Sequence, residues 1–169
     1  MASEIVVRDH EETIAFSFED MMRYHGPGSP GGVAQAFKVL ERALPLLDPD
    51  GAPQRHEITV HTAFGGPGAR DAFELATRAV TEDRYVVDQS LARPERGRAV
   101  ARFVFRLGYR DREVTLAVGE GYVTDEFIDL ARTPDRTPDQ ESRLTVMKRE
   151  MAELVMSRTA AEVYDVVDG

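Results

Sequence analysis

Two glycine-rich loops are the stretches whose residues could do chemistry, because each carries a histidine and each runs into a helix. The first is His25-Gly26-Pro27-Gly28-Ser29-Pro30-Gly31-Gly32. The second is His61-Thr62-Ala63-Phe64-Gly65-Gly66-Pro67-Gly68. Free backbone N–H groups at a helix N-terminus attract anions, and glycine lets a ligand come close to the main chain. Imidazole donates, accepts or ligates near neutral pH. If both loops form one pocket, Gly28, Ser29, Gly31, Gly65, Gly66 and Gly68 would bind ligand, with His25 and His61 as acid/base groups. A plainer reading stands beside this one, since glycine and proline before a helix also serve as turn chemistry. Ser29 reads as a helix cap rather than a nucleophile, because Pro30 fits the first helical position and no G-x-S-x-G context surrounds it. The histidines are His10, His25, His56 and His61. None forms an i,i+4 pair, so spacing gives no metal site. His56 is expected to begin a strand and to be exposed.

The elements that would position these loops follow from periodicity. A helix over Ser17 to Tyr24 opens with Ser17 and Asp20, a weak capping box. The first loop holds two prolines and four glycines in eight residues and cannot continue it. Val33, Ala36, Phe37, Leu40 and Leu44 then recur at helical spacing, ending at Pro45 or soon after. Glu57 to Thr62 reads as a strand, a third helix starts near Ala69, and Tyr85 to Asp88 is a short strand. Arg98 to Leu107 alternates, with Ala99, Ala101, Phe103, Phe105 and Leu107 on one face and Arg102 and Arg106 on the other, a solvated sheet face. Glu113 to Val118 returns as its hairpin partner. Thr137-Pro138-Asp139-Gln140 is a strong helix start, and Leu144, Met147, Met151, Leu154 and Val155 form an apolar stripe read as core. The order α, α, β, α, β, β, β, then C-terminal helices indicates an α+β fold.

Composition bounds the function. The chain has 169 residues, 42% hydrophobic and 30% charged, as expected of one domain. With no cysteine, thiolate catalysis, zinc fingers and iron–sulfur clusters are excluded. The net charge of −9 argues against nucleic acid as a partner. No run of apolar residues approaches a membrane span, and the acidic start is unlike a signal peptide, so no membrane association and a cytoplasmic location are expected.

At several places the residues are similar to the formylmethanofuran dehydrogenase E-like (FmdE-like) family. Phe16 to Gly26 followed by Ser29-Pro30-Gly31 resembles that family's short helix ending in His-Gly-His-x-Cys-Pro-Gly. Val33 to Leu44 matches the helix after that motif, and Arg70-Asp71-Ala72 to Thr77 its Asp-Ala segment. Asp88 and Gly97 to Phe103 resemble a further stretch, and Met151 to Ser157 with Val163-Tyr164 resembles the closing helix. The resemblance implies a helix-strand-helix core followed by three strands, closing a four-stranded mixed sheet. It spans about 14–120 as core and about 122–165 as a C-terminal helical part of a single domain. The family's histidines and cysteines are associated with metal; here Pro27, Ser29 and Ala79 stand at three of those places. The resemblance therefore implies a member without thiolate ligands, keeping His25, Asp71 and Arg98.

Three functions are carried forward. One is a metal-free enzyme without a cofactor, acting on a small anionic or carbonyl-bearing metabolite, as in a biosynthetic pathway. There His25 is the acid/base, and either Asp71 orients an imidazole or Arg98 pairs with a carboxylate; the chemistry would be proton transfer, isomerisation, dehydration or cyclisation. The second is a non-catalytic ligand-binding or accessory subunit. The third is a residual metal site of His25, His61 and Asp71. A homodimer is expected, both from the resemblance and from an amphipathic C-terminal helix and an arginine-bearing sheet face.

Overall fold

A computed structural model describes residues 3–169 and shows an α+β fold. The chain opens on an antiparallel hairpin of β1 (Ile5–Asp9) and β2 (Glu12–Phe16). Helix α1 (Phe18–His25) follows, started by the reciprocal Ser17–Asp20 capping box and stopped at Gly26, whose φ of 93° suits glycine. Helix α2 (Pro30–Leu47) is the centre of the molecule, with Val33, Ala36, Phe37, Leu40 and Ala43 all buried. Strand β3 (Ile58–Thr62) leads through the second loop into α3 (Pro67–Thr77). Then come β4 (Tyr85–Val87), β5 (Val104–Tyr109), β6 (Arg112–Val118), α4 (Asp125–Arg132), α5 (Pro138–Met156), α6 (Ala160–Val163) and β7 (Tyr164–Val167).

The main sheet is mixed and has five strands in the order β4-β3-β5-β6-β7. β3 and β4 are parallel and the other pairs antiparallel. The register aligns Thr62, Phe105 and Leu116 across one face, onto which α2 and α3 pack. Phe105 is its hub: rings of Phe73 and Tyr164 lie 5.8 Å from it, and all three are buried. Burying each such ring contributes on the order of 1.5–3 kcal/mol. Tyr164 is tied down further, its hydroxyl donating to buried Gln35 at 2.7 Å. The α5 stripe of Leu144, Met147, Met151 and Val155 is buried in the chain itself, while Leu154 remains partly exposed. Gly31 brings α5 close to α2, since a Cβ there would stand 2.8 Å from Met151 Sδ.

Three expectations need correcting. The sheet gains a fifth strand, β7, because the chain after Val163 pairs with β6 instead of ending in a helix. The hairpin β1–β2 precedes everything expected, its Ile5 and Val7 buried. Strand β5 starts at Val104, not at Arg98. Its neighbour β3 turns away after Thr62, so earlier residues have no ladder to join. Residues 98–102 instead form turns, closed by Arg93 N–H to Ala101 O at 2.8 Å and Phe103 N–H to Val100 O at 3.0 Å.

Candidate functional site

The two glycine-rich loops meet. A Cβ on Gly68 would stand 2.5 Å from Ser29 O and 3.1 Å from Val33 N, and one on Gly32 would stand 3.2 Å from Ala69 N. Glycine at both positions thus lets the first turns of α2 and α3 touch, backbone against backbone. This is an unfavourable arrangement electrostatically, since two helix N-termini each present roughly half a positive charge. Neither end is capped by a side chain: Ser29 and Gly66 hold the cap positions without a side-chain bond to the helix. Ser29 is therefore not the hydroxyl cap expected. The contrast is with α1, α4, α5 and α6, whose first-turn N–H groups donate to the side chains of Ser17, Thr124, Thr137 and Thr159. The N–H groups of Gly31, Gly32 and Gly68 find no acceptor among the described residues.

These turns form one side of a cavity of about 440 Å³. Ser29, Gly31, Gly65, Gly66, Gly68 and Arg98 line it, six of the seven ligand-binding positions expected; Gly28 is not in the lining. The apolar wall is Phe64, Phe103, Phe127, Ile128, Ala99 and Ala131. Phe64 lies across Gly66, where a Cβ could not fit, and stacks on Phe103 with ring centroids 4.3 Å apart. The cations Arg98, Arg102, Arg132 and Lys148 also line the cavity, and no aspartate or glutamate does. Arg98 is neutralised, its guanidinium bonding both oxygens of Asp129 at 2.5 and 3.2 Å, with Asp125 at 3.6 Å. That pairing holds the Asp129 carboxyl below the usual carboxylate range. Lys148 reaches from α5 to the carbonyl of Gly28 at 3.2 Å. Arg102 and Arg132 are exposed and have no hydrogen-bond or ion-pair partner among the described residues.

Sequence reading misses Arg102 as a cavity residue and places it on the sheet face, because alternation continues through 98–102 where the chain in fact turns. Arg132 and Lys148 carry no motif; only the packing of α4 and α5 brings them to the loops.

The histidines do not share this cavity. His25, at the end of α1, bonds through Nδ1 to Asp71 Oδ2 on α3 at 2.8 Å, and its side chain is 9% exposed. Its Nε2 is buried without a partner among the described residues, facing Gly28. The buried Tyr85 hydroxyl, also unpartnered, lies in the field of Arg70 and Asp71; burial pushes it up to about 12. His61 is elsewhere. It sits on the opposite face of β3 from Val60 and Thr62, beside Arg106 and Val86 in the register. The three-residue metal site of His25, His61 and Asp71 therefore does not assemble, and among the described residues no other group of three such ligands converges.

His56, expected as an exposed strand residue, lies in a single 3-10 turn (Arg55–Glu57) and is bonded on both sides. Nδ1 meets Glu82 at 2.8 Å and Nε2 meets Asp9 at 3.1 Å. Among the described residues no helix is long and apolar enough to cross a membrane. No model of a known protein family matches the chain, and no curated protein matches it either.

Proposed function

We propose that the protein binds a small metabolite bearing an anionic group and an apolar body, held in the cavity between the two glycine-rich loops. One observation carries this: in a chain of net charge −9, the cavity is lined by no carboxylate and by four cations, of which Arg98 alone is ion-paired among the described residues. The uncapped turns of α2 and α3 add further positive potential. The volume falls in the range of small-molecule sites, and the phenylalanine wall suits an apolar body. A thermal-shift panel of small carboxylates and phosphates tests this. At least one should raise Tm in the native chain and fail to do so in an Arg102→Ala, Lys148→Ala double variant. Responses that are equal in both proteins would refute the reading.

An acid/base enzyme on the pattern of the FmdE-like resemblance is the second reading, and it has its own observation. Asp71 fixes the Nδ1 side of His25 and leaves Nε2 free, as a general base requires. That nitrogen faces Gly28 and not the cavity, so catalysis on the bound ligand requires movement of the loop over 26–29. His25→Ala should then abolish turnover of an identified ligand while its affinity stays unchanged; retained turnover would leave the protein a binder. A two-fold dimer belongs to the same proposal. With most of the α5 stripe spent on the core, the candidate surfaces for it include the outer sheet face around His61 and Arg106 and the edge at Val86 and Val87. Light scattering at 18.8 kDa over micromolar concentrations would refute the dimer.

A further inference from the structure

We propose that the anionic group is the dianion of a phosphomonoester rather than a carboxylate; this rests on the anion-binding reading above. The cavity's donors outnumber what a carboxylate can use. The backbone N–H groups of Gly31, Gly32 and Gly68 are free among the described residues, and they belong to two helix ends in contact. Arg102, Arg132 and Lys148 form no direct ion pair among the described residues and line the same space, although Arg132 lies in the field of Asp129. A carboxylate offers two oxygens and one charge. A phosphomonoester offers three terminal oxygens and close to two charges at neutral pH. Only the second matches three side-chain cations together with two opposed helix dipoles.

The rest of the cavity constrains the alcohol of that ester. Phe64, Phe103 and Phe127 line the cavity, and Phe64 stacks on Phe103 with ring centroids 4.3 Å apart. Three aromatic rings in the lining favour an apolar, aromatic body on the bound ester. The lining's remaining uncharged polar side chains are Ser29 and Gln89, too few to satisfy a polyhydroxylated sugar. The inferred ligand class is therefore the phosphate ester of an aromatic or similarly flat apolar alcohol.

Phenyl phosphate and benzoate make a matched pair of probes, with one ring and two anion types. Isothermal titration should give phenyl phosphate an affinity about tenfold above benzoate at neutral pH. Its affinity should fall as the pH drops through the second phosphate ionisation near about 6, where benzoate, with an ordinary carboxylic pKa, stays ionised. Arg102→Ala should weaken phenyl phosphate about tenfold or more, and Arg102→Lys should restore part of that loss. Arg102 is exposed and unpartnered among the described residues, so neither variant threatens folding; Arg132→Ala provides a second, equally exposed test. If benzoate binds as tightly as phenyl phosphate and both weaken in the variants, the phosphate assignment fails and the anion reading survives. If neither probe binds, or binding ignores the variants, both fail.

Discussion

Single glycines decide whether this site can exist. Gly68 touches Ser29 main chain, which cannot swing aside as a flexible side chain can. Gly68→Ala should therefore destabilise by about 1–3 kcal/mol, as overpacking does, despite the helix-favouring nature of alanine. Ser29→Ala, in contrast, removes no cap bond and should cost under about 0.5 kcal/mol. Urea unfolding midpoints of the two variants check the pair, and equal losses would contradict the close contact. The same positions explain what is legible from residues alone. Loop glycines next to helix starts announce themselves because few other residue types fit such turns. The cations do not. Lys148 lies 120 residues from the carbonyl it reaches, and nothing local in α5 separates it from the lysines and arginines of any solvated helix face. His61 misleads for a related reason: it follows Val60 in a strand, and alternation sends it to the outer face.

At the level of elements, His56 adds a titratable fastening to the N-terminal hairpin, which is also held by the Arg8 bonds to Ala52 and Pro53, the reciprocal bonds of His10 and Gln54, and the burial of Ile5 and Val7. Its two nitrogens meet carboxylates of β1 and of the turn after α3, which only the protonated imidazolium can do as donor to both. Arg55, Arg84 and His10 also face this group: Arg55 and His10 toward Asp9, and Arg84 toward Glu82. The bond to Glu82, ahead of that to Asp9, raises His56 above its ordinary value, while His56 in turn lowers both acids. A raised histidine contributes stability that is complete below its unfolded pKa, near 6.5, and lost as pH rises through its higher folded value. The lowered acids contribute above their unfolded values of 3.8 and 4.5, losing that as pH falls. The hairpin is thus held most firmly between those limits. Hydrogen exchange of β1 amides should quicken beyond the intrinsic rate change as pH rises above the unfolded histidine value of 6.5, and His56→Gln should remove that excess. An excess of the same size in the variant would assign the fastening elsewhere. The hairpin escapes sequence reading because Glu4 to Glu12 is dense with charge around only two buried side chains, Ile5 and Val7. Helices with long apolar stripes and clear start signals, such as α2 and α5, are legible because pattern and punctuation agree there.

Over the whole molecule, charge is distributed unevenly. Thirty acidic residues give the surface its sign, yet none lines the cavity beside the touching ends of α2 and α3. The two loops, the turns before β5, α4 and α5 together supply that lining; the loop glycines and Arg98 are legible in the sequence, whereas the convergence of Arg102, Arg132 and Lys148 on them is a product of the tertiary fold. Its cations are partly solvated, and binding should weaken with added salt. The most direct measurement is backbone amide NMR during titration with phenyl phosphate. The largest, saturable shifts are expected at the amides of Gly31, Gly32 and Gly68. Shifts confined to the outer sheet face around His61 and Arg106, with those three glycine amides unmoved at saturation, would contradict anion binding between the loops.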